Sequence, residues 1–306
     1  MNSSLTYVLI SPARNESAFI EHTIRSVISQ TVLPARWVIV NDGSTDNTSE
    51  LVRTYLADHP WMVLVDLPVR NERHFAAKVH AFNAGWEAVR DVSYQIIGNL
   101  DADVSFDPDH FEFLLNQFEI DPQLGVAGTT FRQADGYDSA LHSFEGQAHV
   151  SGQVQIFRRE CFEQIGGYLP NKAGGIDWMA QMTARMMGWK TRSFCEKPFF
   201  HYRPMGTAER GSVASIFSYG EKDYYLGGHP VWEIFRVAYR MTKRPYFING
   251  MALGLGYLWA LLTRQPRPVS PELVKFHRRE QMQKLRAIFG SLIAFRSYRK
   301  FEPSTH

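Results

Sequence analysis

Over the first hundred positions the apolar residues alternate between short unbroken runs and longer stretches with a helical repeat. Tyr7-Val8-Leu9-Ile10 ends at Ser11-Pro12 and reads as a strand buried on both faces, as in a parallel sheet. Ile20, Ile24, Val27 and Ile28 follow at helical spacing, with Asn15 or Ser17 placed to cap the start. Trp37-Val38-Ile39-Val40 repeats the strand, Asn41-Asp42-Gly43-Ser44 breaks it, and Leu51, Val52, Tyr55 and Leu56 mark a second amphipathic helix. Met62-Val63-Leu64-Val65, a helix over about 75–90 and a strand over 95–100 continue the pattern. Such alternation predicts a right-handed, mostly parallel sheet covered by helices on both faces. Ligands of such sheets bind beyond the carboxyl ends of the strands, so the loops after Ile10, Val40 and Leu100 are expected to meet at one site.

Beyond Pro122 the pattern is less regular. Strands are expected over 124–130 and 153–157, a Gly- and Asp-containing loop over 135–138, a helix over about 177–187 stopped by Gly188, and a strand over 190–194 leading into a turn Lys197-Pro198-Phe199-Phe200. Residues 246–262 are almost wholly apolar, yet shorter than the roughly 20 residues a membrane span needs, so the stretch reads as a buried or interfacial helix.

Charge adds a second division. The net charge of +2 conceals 14 Lys and Arg against 4 Asp and Glu in residues 231–306, which leaves the first 230 residues at −8. A basic tail on an acidic body is not the footprint of a nucleic-acid binder, but it fits an anionic membrane surface. Two cysteines, Cys161 and Cys195, exclude a disulfide framework and a cysteine zinc site. No signal peptide precedes the first strand, which places the expected active site in the cytoplasm.

The sharpest candidate chemistry is Asp101-Ala102-Asp103 at the end of an apolar strand. Two carboxylates one residue apart at a strand terminus can converge on a hard cation such as Mg2+ or Mn2+, which keeps phosphate oxygens in its remaining positions. Asp107-Pro108 follows, so the same residues also suit a helix cap. No GxGxxG follows the first strand, which argues against a dinucleotide oxidoreductase, and no Gly-rich basic phosphate loop is present for a nucleotidyltransferase.

Taken together, Pro12-Ala13-Arg14-Asn15-Glu16, Asn41-Asp42-Gly43-Ser44-Thr45-Asp46 and Asp101-Ala102-Asp103 resemble, in order and strand context, the motifs of family 2 glycosyltransferases of the GT-A fold over roughly residues 5–200. Lys78 and Asn83 look like the family's Lys and Asn ahead of the metal motif. The resemblance implies nucleotide contacts from Pro12, Arg14, Glu16, Asp42, Lys78 and Asp101, and a metal held by Asp103 with Asp101 and a late histidine, His201. Asp46 suits capping of the next helix better than nucleotide contact. The Gly-Gly-Tyr turn Gly166-Gly167-Tyr168 and the later Gly174-Gly175-Ile176-Asp177-Trp178 make Asp177 the counterpart of the family's base, while Ile176 stands where a Glu is usual. Trp178 suits either a sugar stack or the core, and the arginines of Arg203-Pro204-Met205-Gly206 and Arg210-Gly211 suit either a diphosphate or solvent.

The expected molecule is therefore α/β: a GT-A-type, mostly parallel sheet flanked by helices, with a helical, basic C-terminal extension. Residues 1–230 would form the catalytic domain, nucleotide-sugar part about 1–130 and acceptor part about 131–230, and residues 231–306 the extension. Tyr224-Tyr225-Leu226-Gly227-Gly228-His229-Pro230, Arg244-Pro245-Tyr246 and Gly256-Tyr257-Leu258 resemble the tails of bacterial polysaccharide-assembly members. That likeness implies a glycan or lipid-linked acceptor, other polysaccharide-assembly proteins as partners, and a peripheral position on the inner face of the cell membrane, with Arg236, Arg240, Lys243 and Arg244 facing lipid phosphates. The expected activity is inverting, metal-assisted sugar transfer from a nucleotide-sugar, UDP-sugar preferred. The alternative is a catalytically silent nucleotide-sugar-binding scaffold.

Overall fold

The computed structural model describes residues 4–69, 75–142, 146–171, 174–203 and 212–293. They fall into two compact units, one ending at Arg203 and one formed by the residues from 212 onward. That division lies upstream of residue 230, where charge and resemblance placed the boundary.

The first unit runs β1 (Tyr7–Ala13), α1 (Ile20–Ile28), β2 (Arg36–Asn41), α2 (Thr48–Leu56), β3 (Met62–Asp66), α3 (Phe75–Glu87), β4 (Ile96–Leu100), β5 (Val104–Ser105), α4 (His110–Ile120), β6 (Leu124–Arg132), α5 (Ser139–His142), β7 (Val154–Arg158), α6 (Arg159–Gln164), α7 (Ile176–Met186) and β8 (Lys190–His201). The strands make one sheet in the order β3-β2-β1-β4-β7-β6-β8-β5. The first half, β3 to β4, is parallel throughout, β7 joins it antiparallel to both β4 and β6, and β6 pairs parallel with β8. The expected α/β sheet is present.

Alternate residues of the central strands feed opposite faces. Tyr7, Leu9, Trp37 and Ile39 share a core with Ile20, Ile24 and Val27 of α1, Val52 of α2, and Phe111, Leu114 and Phe118 of α4. On the other face Ile10 and Val40 meet α3 at Gly85, where a Cβ would stand 3.0 Å from the Val40 side chain, so only glycine lets the helix approach so closely. α3 is thereby pressed onto the sheet, and it carries Lys78.

Two strands outrun their sequence limits. β1 continues through Ser11-Pro12-Ala13, in register with Ile39, Val40 and Asn41. The Tyr7 and Ala13 carbonyls accept from Ala35 and Asp42, so odd-numbered residues of β1 bond on the β2 side. The missing N–H of Pro12 therefore faces the β4 side, where pairing has already ended at Ile10. β8 likewise runs on to His201, and the expected turn at Lys197-Pro198-Phe199-Phe200 is its second half, pairing with β6 and, through Phe200 and His201, with β5. The capping expected of Asn15 or Ser17 is also corrected: α1 starts at Ile20 with no side-chain cap.

The second unit contains α8 (Ser212–Tyr225), α9 (Pro230–Met241), α10 (Ile248–Leu262) and α11 (Pro271–Ile293). α8 and α10 cross at contact distance: a Cβ on Gly220 would strike the Leu253 carbonyl, and one on Gly256 the Phe217 carbonyl. α9 is anchored by Pro230 at its first turn and by His229, whose Nδ1 accepts from the Val231 N–H at 3.1 Å. Arg236, expected to face lipid phosphates, is instead half-buried, its side chain 13% exposed in an ion pair with Asp223, with Glu233 3.9 Å away. Among the described residues no helix is long and apolar enough to cross a membrane.

Candidate active site

The loops after β1 and β2 are joined by reciprocal hydrogen bonds. The Asn15 N–H donates to Ser44 Oγ at 2.9 Å, the Thr45 N–H to Asn15 Oδ1 at 2.8 Å, and the Glu16 N–H to Thr48 Oγ1 at 2.9 Å. Asp46 accepts from the Thr48 N–H at 3.1 Å and from the Ser17 N–H at 3.1 Å, so it secures the start of α2 and ties it to the first loop. Gly43 adopts φ +67°, and a Cβ there would lie 2.7 Å from Val69 Cα, so glycine is required on both counts. Asp42 is buried beside it, its N–H on the Ala13 carbonyl at 2.8 Å. Pro12 and Arg14 are half-buried at the end of β1.

The third loop is placed by β5 and β8. Thr23 of α1 receives the Val104 N–H at 3.1 Å and donates to the Val104 carbonyl at 2.8 Å, while the Tyr202 N–H donates to the Asp103 carbonyl at 2.9 Å. Pairing of Val104 with His201 then sets His201 Nε2 3.4 Å from Asp103 Oδ2, both residues buried. Arg203, just past β8, donates to Glu16 Oε2 at 2.6 Å and lies 3.8 Å from Asp103 Oδ2, its guanidinium over the Phe19 ring. Burial and the neighbouring Asp103 push the Glu16 carboxyl up to about 7 against the pull of Arg203. Thus Glu16, Arg203, Asp103 and His201 form one connected group. The remaining arginine-bearing segment, 204–211, lies outside the described residues.

Lys78 and Asp101 form the second group. The Lys78 ammonium is paired with Asp101 Oδ1, which also lies 3.4 Å from Asn99 Nδ2. Burial opposes the lysine's charge, but Asp101, Asp177 and Asp103 raise its pKa above the ordinary value. Burial likewise raises the Asp101 carboxyl, with Asp103 adding to the effect and Lys78 opposing it. Asp177 reaches this group because Gly174 (φ +88°) and Gly175 (φ +78°) turn the chain into α7, and because Gly152 leaves room. A Cβ at Gly152 would stand 3.0 Å from Asp177 Oδ2. Asn99 Nδ2 holds the Gly152 carbonyl at 2.6 Å, and the Asp101 N–H holds that of Gln153 at 2.8 Å. Trp178 is half-buried, and Ile176 is buried where an acid was expected.

The donor set suits a divalent cation that also takes substrate oxygens. Among the described residues no three His, Cys, Asp or Glu side chains gather closely enough to hold an ion by themselves. Mg2+ and Mn2+ sites of this class use one or two carboxylates plus phosphate oxygens, and Asp103 with His201 supplies an O,N pair at 3.4 Å, near the spacing of adjacent ligands. Asp101 is engaged by Lys78 instead. The Gln133 amide nitrogen lies 2.9 Å from both His201 Nδ1 and the Arg203 carbonyl. An amide nitrogen only donates, so His201 Nδ1 accepts, and a neutral ring then carries its proton on Nε2, facing Asp103. Ligation through Nε2 requires the Gln133 amide to turn over.

A family model described as "Glycosyl transferase family 2" matches residues 8–176, more than half of the chain. The chain belongs to glycosyl transferase family 2. Among curated relatives, the poly-beta-1,6-N-acetyl-D-glucosamine synthase of Staphylococcus epidermidis is 33% identical over 202 residues, covering 59% of this chain and 47% of that protein. The chain thus spans about half the length of that relative. Among solved structures, the mannosyltransferase PcManGT from Pyrobaculum calidifontis, in complex with GDP-Man and Mn2+, superposes with a TM-score of 0.55 at 20% identity, covering 95% of this chain and 83% of that one. GalNAc-T7 with UDP, GalNAc and Mn2+ gives a TM-score of 0.60 at 15% identity, over 95% and 57%. These likenesses show the GT-A-like fold.

Within this glycosyl transferase family 2 chain, several residues that build the site carried no motif. Gln133, Asn99 and Gly152 lie at strand ends and act through single hydrogen bonds or through lack of bulk. Gln155, fully buried in β7, donates to the Asp177 carbonyl at 3.3 Å and accepts from the Tyr168 hydroxyl at 2.7 Å. A glutamine in the middle of an apolar strand is the one signal that singles it out.

Proposed function

We propose that this glycosyltransferase moves a sugar from a nucleotide-sugar, UDP-sugar by preference, to a glycan or lipid-linked acceptor with inversion. The observation that carries the proposal is the gathering of Asp101 with Lys78, Asp103 with His201, and Asp177 beyond the carboxyl end of β4. In this reading the Asp42 carboxylate and the loops of Arg14 and Glu16 hold the nucleoside. Asp177 takes the proton of the acceptor hydroxyl as that oxygen attacks the anomeric carbon from the face opposite the departing diphosphate. Lys78 keeps Asp101 oriented and offsets its charge. Asp103 with His201, assisted by Asp101, would hold Mg2+ or Mn2+, which when bound would supply charge stabilisation for the leaving diphosphate. Arg203 adds a cation beside Asp103. Such an acceptor places the enzyme, as a peripheral protein, on the inner face of the cell membrane among other polysaccharide-assembly proteins.

The test is thermal stabilisation by UDP, GDP, CDP and ADP, each with and without Mn2+. A diphosphate at about 100 times its Kd adds roughly 2.7 kcal/mol of stability, and the expected result is a Mn2+-dependent shift with UDP that Asp103→Asn removes. Folded protein that responds to none of the four nucleotides contradicts the donor assignment. A shift with GDP alone keeps the site and replaces the uracil preference.

A further inference from the structure

The second unit carries a surface that the chemistry of the first does not use. α10 is buried along one side by Ala252, Leu253, Gly256, Tyr257 and Ala260. Its other side presents Ile248, Met251, Leu255, Leu258, Trp259 and Leu262, each between 50% and 78% exposed. At 100° per residue these six fall within one arc of the helix, so the exposed side is a continuous apolar stripe with no polar interruption. Soluble surfaces rarely leave such a stripe uncovered.

We infer that this stripe inserts into the interface of an anionic phospholipid bilayer, with α10 lying in the membrane plane. The inference rests on the proposed membrane-side acceptor only for its biological setting; the surface argument stands on unit two alone. Three observations select lipid over other occupants. At 15 residues, or about 22 Å, the helix is too short to span the hydrocarbon, and its other apolar side is already packed against α8 and α9, so only the exposed stripe is left to enter a bilayer from one side. Exposed Lys243 and Arg244 precede it and exposed Arg264 follows it, so both ends offer cations at headgroup depth. Between Glu233 and Glu272 the chain has no Asp or Glu and six Lys or Arg. Trp259, within the stripe, is the side chain most at home at the boundary between acyl chains and headgroups.

A second copy of the chain fits worse. A two-fold axis through the stripe would bring the basic end of each α10 against a basic end of its partner, like charge against like. Charge alone does not suffice either, because Arg236 is already paired with Asp223 inside the unit. The apolar stripe is therefore the main contact, and the basic ends select anionic lipid.

The experiment is co-sedimentation of the full chain with phosphatidylglycerol vesicles and with phosphatidylcholine vesicles, comparing the wild type with Leu255→Asp/Leu258→Asp and with Lys243→Gln/Arg244→Gln. The apolar double variant is expected to lose tenfold or more of vesicle affinity on both lipids, and the charge variant to lose several-fold on phosphatidylglycerol only. Folding of each variant is checked by its melting curve and by UDP stabilisation, which both substitutions leave unchanged since neither touches the donor site. UDP stabilisation failing in all proteins sinks the donor reading and leaves this test intact. Wild-type protein that stays in the supernatant, or an apolar variant that binds like wild type, overturns the inference. So does a wild-type dimer by light scattering that the apolar variant dissociates without change in vesicle binding, which would make the stripe an interface between copies.

Discussion

The two units handle their polar and apolar groups in opposite ways. In the first, apolar side chains are consumed by two cores on either face of the sheet, and the polar ones gather at strand ends, where each is held by a neighbour: Asp46 by two backbone N–H groups, Glu16 by Arg203, Asp101 by Lys78. In the second, helices meet through glycines, one apolar side of α10 faces outward while the other is packed, and a small ionic cluster of Asp223, Arg236 and Glu233 is partly buried. The difference teaches where each unit's chemistry lies. In the proposed reading the first presents preorganised charge to a nucleotide-sugar and the second presents surface to a membrane.

The largest test of that contrast is Asp177→Asn. If the polar groups of the first unit are organised for proton transfer, turnover falls by about 10^2 to 10^4 while UDP stabilisation keeps its wild-type size. The isosteric amide retains the fit against Gly152, so loss of both properties would reveal a structural role, and loss of neither would favour the silent scaffold. Ile176, buried beside Asp177 where the family usually has Glu, makes the scaffold worth this direct measurement.

In the second unit the corresponding change is Gly256→Ala. A methyl group there meets the Phe217 carbonyl, a backbone atom that cannot rotate away, so α8 and α10 must separate. The expected loss is about 1–3 kcal/mol by denaturant unfolding. Gly290→Ala in α11 is the control, because its added Cβ meets nothing within 4 Å, and relief of the glycine penalty should stabilise by roughly 0.5–1 kcal/mol. Equal effects at the two positions would mean that the helix crossing is loose, and that the second unit is held by something other than close backbone contact.

Legibility follows the same division. The alternation of strands and helices up to Leu100 could be read from residues 5–100, because each strand is a short apolar run and each connection has its own turn chemistry. The three acidic loops were legible for the same reason, as was the place of Asp177 at the start of α7 after two glycines. What the sequence hid was pairing between distant segments. Val104-Ser105 is two residues long and has no pattern of its own, yet its ladder with β8 is what carries His201 to Asp103. Pro198 disguised the second half of β8 as a turn, since a proline reads as a break unless its strand is known to lack a partner on that side. In the second unit a helix was legible from apolarity alone, but which of its faces is covered depends on where Gly220 and Gly256 bring α8, and no local pattern states that. Arg236 was misplaced because its charge was visible in the sequence and its partner Asp223, thirteen residues earlier, was not distinguishable from any other surface acid.

Glu233 gives the finest test, on stability alone. Burial first, and then the neighbouring Asp223, push its carboxyl from an ordinary 4.5 up to about 8 against the pull of Arg236 and Arg240, and its Oε1 has no hydrogen-bond partner among the described residues. Below about 4.5 the folded and unfolded chains both hold this proton. Between about 4.5 and 8 the unfolded chain releases it while the folded chain retains it, so the folded state binds more protons and its stability falls as pH rises through that window. Above about 8 both are ionised and the penalty stays constant. Glu233→Gln keeps an N–H donor toward Asp223 but cannot ionise, so its stability relative to wild type should be near zero difference at pH 4 and grow steadily to an advantage as pH rises to 8. Melting curves of the two proteins across pH 4 to 9 read this directly. Curves that stay parallel would mean that Glu233 titrates alike in the folded and unfolded chains, its neighbours offsetting its burial, and the second unit would then resemble the first in partnering its buried acids.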